Sequence, residues 1–126
     1  MAQTFIIPGR LPGLNELIAK SKGKGGFYTY NALKKEYETM IAMCIKTTGL
    51  IPMGLDIYFT FYWYEKNERR DKDNIAAGGR KLILDALVET GILQNDTWKY
   101  INGWEDVFAV DKLNPRIEVV MVECII

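Results

Sequence analysis

Residues 55–89, LDIYFTFYWYEKNERRDKDNIAAGGRKLILDALVE, change their hydrophobic period partway along, and the change decides the fold. From Leu55 to Tyr64, aromatic and β-branched residues alternate with no charge after Asp56, the pattern of a buried strand. The same aromatics could serve as a base-stacking platform. EKNERR is a charged loop. From about Asn74 or Gly78 to Glu89 the period becomes helical, with Ile75, Leu82, Ile83, Ala86 and Leu87 on one side and Gly91 as the stop. The pair Gly78-Gly79 is out of place there, since each glycine costs roughly 1 kcal/mol relative to alanine inside a helix. It either lets a phosphate backbone or another chain segment approach closely, or marks an irregular first turn before a helix that starts near Arg80.

Outward from this stretch the pattern repeats. Trp98 to Val110 and Pro115 to Cys124 read as strands joined by DKLNP, and RIEVVMVE alternates as a half-exposed strand does. Toward the amino end, Thr4–Ile7 reads as a strand ended by Pro8-Gly9, and Leu14–Lys20 as a short helix capped by Asn15. SKGKGG follows as a mobile basic loop. A helix from Thr29 or Asn31 to about Thr47 carries Leu33, Tyr37, Met40, Ile41, Cys44 and Ile45 on one stripe and stops at Gly49. The expectation is one α+β domain over residues 1–126, a mixed β-sheet packed against helices.

The 126 residues hold no histidine, which excludes His-based triads, His general bases and His-ligated zinc. Catalysis would rest on carboxylates, lysine, tyrosine or a hard metal ion. Cys44 and Cys124 lack a pairing rhythm and read as reduced, partly buried thiols. No apolar run reaches the roughly 18 residues of a membrane span, and MAQTFIIPGR lacks a signal-peptide pattern, so a cytoplasmic protein without a membrane partner is expected. Net charge is zero but uneven. Residues 1–50 carry about four excess positive charges and residues 81–126 about four excess negative ones, which permits a basic binding surface beside an acidic site.

Asp71 and Asp73, in extended chain before the helix, would point the same way. Two convergent carboxylates suit Mg²⁺ or Mn²⁺, and Asp96 in QND is the candidate third ligand. The bland alternative is helix capping, by Asp73 or Asn74. Lys81 and Asp85 are four residues apart on one helix face, in the weaker lysine-first order for a surface pair. Asp85 interrupts the apolar run LILDALV and so needs a partner, either Lys81 or the metal site.

DKDN, the lysine and aspartate of KLILDAL and the GILQND segment together resemble the signature of the RusA family of Holliday junction resolvases, nearest its prophage-type branch. IPGRLPGLNE and WKYINGWEDVF extend the resemblance more weakly over most of the chain. The resemblance implies a RusA-like fold and a homodimeric, Mg²⁺-dependent endodeoxyribonuclease with no organic cofactor. Such an enzyme resolves four-way DNA junctions by paired nicks in recombination and repair. It implies metal-binding roles for Asp71, Asp73 and Asp96, a catalytic role for Lys81, supporting roles for Asp85 and Asn74, and DNA contact by Arg69. IAAGGR is a departure: it adds about four residues, near one helical turn, before Lys81, and makes Arg80 a substitute.

Arg10, Lys20, Lys22, Lys24, Arg70 and Arg80 complete the expected DNA-binding set, with phosphate contacts giving affinity and junction shape giving preference. The alternatives are a noncatalytic DNA-binding or replication accessory protein on the same fold, and a structural domain whose acids only cap helices.

Overall fold

The computed structural model describes residues 1–124. The chain runs β1 (Ala2–Pro8), α1 (Leu14–Lys22), α2 (Gly26–Thr48), β2 (Ile57–Glu65), α3 (Lys72–Glu89), β3 (Ile101–Val110) and β4 (Arg116–Glu123). The period-two segment is the heart of the sheet. Ile57, Phe59, Phe61 and Trp63 of β2 point inward and are buried, while Tyr58, Thr60, Tyr62 and Tyr64 are half-buried on the other face. The aromatic run thus divides between a core row and a row of tyrosines.

The four strands form one mixed sheet in the order β1-β4-β2-β3. β4 is antiparallel to both β1 and β2, whereas β2 and β3 are parallel, with Ile57 opposite Ile101 and Glu65 opposite Val110. A parallel neighbour needs a crossover, and α3 supplies it. The chain leaves β2 at Glu65, returns along α3 and enters β3 beside the start of β2, so the two ends of α3 lie at opposite ends of the strands. Eighteen helical residues span roughly 27 Å.

The helices cover one face of the sheet. Ile41 and Ile45 of α2, and Ile75, Leu82, Ile83 and Leu87 of α3, meet Phe5, Phe59, Phe61, Trp63, Val119 and Met121 in one apolar core. Among the described residues no polar or charged residue is fully buried, and no helix is long and apolar enough to cross a membrane.

Several boundaries differ from the sequence expectations. α3 begins at Lys72, with Asp71 as its N-cap. Gly78 and Gly79 are therefore mid-helix, which removes the irregular-turn reading. A Cβ on Gly78 would lie 2.7 Å from Pro12 O and 2.8 Å from Leu14 N, and one on Gly79 would lie 2.6 Å from the Trp63 ring. The glycines let another segment of this chain, Leu11 to Leu14, and the sheet approach the α3 axis.

α1 is capped differently from the expectation at Asn15. Gly13 is its N-cap, and the side chain of Asn74 accepts the Asn15 N–H at 2.8 Å, so a residue of α3 caps α1. SKGKGG is shorter as a loop than it reads, since Ser21 and Lys22 close α1 and Gly26 opens α2. Gly49 ends α2 in the left-handed conformation, donating to Ile45 O and Lys46 O, as expected of a glycine stop.

Candidate functional site

The carboxyl ends of β2 and β3 and the amino end of α3 meet at one end of the sheet, the place where open sheets with parallel strands take ligands. The loop 66–71 rises there as a ridge between two clefts. One, of about 400 Å³, is lined by Glu65, Glu68, Asp71, Lys72, Phe108 and Val110. The other, of about 480 Å³, is lined by Arg10, Lys66, Asn67, Arg69, Arg70 and Pro115. Arg70 lines the first cleft as well and Glu65 the second, so a cleft of mixed charge and a mainly basic one share a wall.

Asp71 has extended dihedrals (φ −68°, ψ 147°), and its side chain makes no capping bond. Asp73 is in the first helical turn, not in extended chain, so the two carboxylates do not converge through strand periodicity as the spacing suggests. Both are exposed near the positive end of the helix dipole, which favours negative charge there.

The basic residues divide into bound and open ones. Arg70 is a structural pin: its guanidinium donates to both Glu65 oxygens, at 2.9 and 2.8 Å, and to Leu11 O at 2.8 Å, and only 14% of the side chain is exposed. Arg80 is held by Asp106 and lies over the Trp104 ring, while Asp106 also accepts the Trp63 indole N–H at 2.9 Å. Both guanidiniums are engaged by carboxylates of their own chain. Arg10 pairs with Glu16 at 3.0 Å in solvent. Arg69 is exposed with no side-chain partner among the described residues, and Lys66, read in the sequence only as part of a charged loop, stands beside it in the basic cleft. The signal for Lys66 was its position just past the end of β2. Lys20, Lys22 and Lys24 are exposed around the α1–α2 junction, away from this cleft.

The remaining predicted residues are elsewhere. Lys81 follows Asp73 by eight residues of unbroken helix, about 12 Å along the axis. It pairs with Asp85 at 3.1 Å. Asp85 in turn pairs with Lys34 at 3.2 Å, and Lys34 lies 3.5 Å from Glu38, so the four residues tie α3 to α2. Burial pushes the Glu38 carboxyl above its ordinary range; Lys34 draws it down, and Asp85 and Glu89 push it further up. Burial alone would lower the Lys34 ammonium, but the hydrogen bond and charge of Asp85 and the charge of Glu38 leave it raised. Asp85 has the partner that its place in an apolar run demanded, and the partner comes from both helices.

Asp96 is exposed in the segment between α3 and β3, at the end of the sheet where Ile57 pairs with Ile101. Asp71 and Asp73 are at the other end. Among the described residues no three acids or cysteines come close enough to hold a metal ion together. The crossover puts Asp96 near one end of α3 and Asp71 and Asp73 at the other, so one chain does not bring Asp96 to the other two. Cys44 and Cys124 are free and half-buried, and burial raises the Cys44 thiol. The chain matches no protein-family model and no curated protein.

Proposed function

We propose that this protein is a structure-selective endodeoxyribonuclease that acts as a homodimer on four-way DNA junctions, of the kind the RusA family represents. Its role would lie in recombination and repair. The observation that supports the reading best is the shared wall at the amino end of α3. There Asp71 and Asp73 stand exposed next to a cleft presenting Arg10, Lys66 and Arg69. Phosphates of one strand would seat in the basic cleft, and the scissile region would lie over the cleft that Asp71 lines. Arg70 holds the ridge between them to β2 and to the Leu11 carbonyl.

A divalent ion such as Mg²⁺ or Mn²⁺ would find Asp71 and Asp73 in one chain, with Glu68 lining the same cleft as Asp71, and a third aspartate would be lent by a second chain. Asp96, at the far end, is the residue placed to be lent in this way. Lys81, locked to Asp85 in the same chain, serves the α2–α3 contact in this reading.

Wild-type protein is expected to nick a synthetic four-way junction, but not its matching linear duplex, in Mg²⁺, and EDTA or Asp73→Asn to abolish the nicks. Mixing Asp73→Asn and Asp96→Asn chains tests the shared site. If each site draws on two chains, a mixed dimer contains one fully wild-type site and recovers single nicks; if each chain builds its own, the mixture stays dead. The separation of Asp96 and Lys81 from Asp71 also favours a second reading, a noncatalytic DNA-binding accessory protein. Junction binding by wild type with no nicking at any Mg²⁺ or Mn²⁺ concentration would select it.

A further inference from the structure

α3 and β3 run in opposite directions, and cations on the helix meet aromatic rings on the strand at two places. Trp104, Asp106, Phe108 and Val110 alternate onto the side of β3 that faces α3. Lys72 Nζ lies 5.5 Å from the centre of the Phe108 ring, and the Arg80 guanidinium 5.2 Å from that of Trp104. Eight helical residues, about 12 Å, separate the two cations, and four strand residues, about 13 Å, separate the two rings. The pairs therefore keep step along a crevice that opens, past Phe108, into the cleft lined by Asp71.

The Trp104 position is a prepared platform. Asp106 accepts the Trp63 indole N–H at 2.9 Å and pairs with Arg80, so the guanidinium is fixed against the strand before any ligand arrives. Arg80 lies over one face of the Trp104 ring, and Trp104 is still 50% exposed. The bonds of Asp106 to Trp63 and Arg80 do not involve residue 104, so the core does not depend on that ring. Trp98, 97% exposed before the start of the strand, touches too little to be held in one orientation. Because the charges of Arg80 and Asp106 offset each other, the site offers a π-face and little net charge. A nucleobase matches such a surface, whereas a phosphate does not.

We propose that the crevice between α3 and β3 binds an unpaired base of single-stranded DNA, stacked on the open face of Trp104. This stacking rests on the DNA-binding part of the function proposed above and needs none of its chemistry. Phosphate contacts by Arg10, Lys66 and Arg69 would hold duplex and single strand alike. A ring with one open face accepts only a base that has left its own stack, so Trp104 adds affinity for strands outside a duplex.

The test is binding of the full chain, in EDTA so that nothing is cleaved, to a labelled oligothymidylate and to a linear duplex of equal length. Trp104→Ala is expected to weaken oligothymidylate binding at least about fivefold and to leave duplex binding unchanged, and Trp104→Phe to recover most of the loss. The fold-loss should be the same at low and moderate salt, since stacking releases no counterions, whereas Lys66→Ala should lower the salt slope. Should Trp104→Ala not fold, Trp98→Phe gives a second readout. Trp63 is buried, so the emission quenched on oligothymidylate binding should be that of Trp104.

Equal binding by wild type and Trp104→Ala, a loss shared by the duplex, or bound oligothymidylate without quenching in Trp98→Phe overturns the stacking alone. So does a wild type that binds duplex but not oligothymidylate. A selective loss in Trp104→Ala from a protein that never nicks junctions supports the stacking and overturns the nuclease reading alone. A wild type that binds no DNA overturns both.

Discussion

The two halves of α3 are attached to the rest of the molecule by opposite kinds of contact. The first half is held by shape: Gly78 and Gly79 admit the Leu11–Leu14 segment and the Trp63 ring, and Asn74 reaches across to cap α1. The second half is held by charge on its outer side, where Lys81, Asp85, Lys34 and Glu38 link it to α2 above a buried apolar row. A close-packed contact tolerates almost no added atom, whereas an ion network loses one partner at a time. The amino half should therefore be the brittle one, which suits the end that presents Asp71 and Asp73.

The largest effect should come from adding one methyl group. In an exposed helix, Gly→Ala gains about 1 kcal/mol. At Gly78 the new Cβ would sit 2.7–2.8 Å from backbone atoms of Pro12, Gly13 and Leu14, which cannot swing aside as a side chain could. Gly78→Ala is expected to destabilise by roughly 1–3 kcal/mol, the range of overpacked cores, in urea denaturation. A stabilised variant would mean that the LPG segment is not seated as described.

That contact also marks what could be learned from the sequence. The switch from period two to period three-and-a-half between Tyr64 and Ile75 located β2 and α3, and the alternation of RIEVVMVE located β4. The inner rows of both elements were legible because burial repeats with backbone geometry. The reason for Gly78-Gly79 was not legible, since Gly78 answers to Pro12, Gly13 and Leu14, more than sixty positions earlier in the chain, and Gly79 to the ring of Trp63 on another element. The separation of Asp96 from Asp71 was hidden for a similar reason. Spacing along the chain measures proximity within one helix, but which strands pair in parallel decides which ends meet. Arg70 and Arg80 read as DNA-binding candidates, because nothing in their spacing reveals the pairing with Glu65 and Asp106.

The next largest effect is expected on the charged side, at Lys34. It lies 3.2 Å from Asp85 Oδ2 and 3.5 Å from Glu38 Oε1, two oxygens shut off from solvent. Lys34→Met leaves two carboxylates facing each other and should cost about 1–2 kcal/mol at pH 7, less than Gly78→Ala. Comparable losses for Lys34→Met and Gly78→Ala would show the two halves to be equally brittle. Asn74→Ala removes the acceptor for the Asn15 N–H and should cost about 1 kcal/mol, like the loss of an ordinary helix cap. Lys81→Ala breaks an exposed pair and should cost no more than a few tenths of a kcal/mol.

The smallest expected effect separates charge from shape by pH. The folded-state pKa of Glu38 is raised, chiefly by burial, so its protonated form is the one that folding favours. The help this gives folding is complete below the ordinary glutamate range and fades as pH rises through the raised value. Glu38→Gln keeps the side-chain shape without the titration. Its melting temperature should therefore exceed that of wild type slightly at pH 7, and the difference should shrink as the pH is lowered through the acid range. The loss from Gly78→Ala involves no titrating group and should stay constant over the same range. A Glu38→Gln protein that is less stable than wild type at pH 7 would show that the attraction of Lys34 outweighs the burial of the carboxylate. The charged half of α3 would then be held by a net favourable ion pair instead of one that merely offsets its own desolvation.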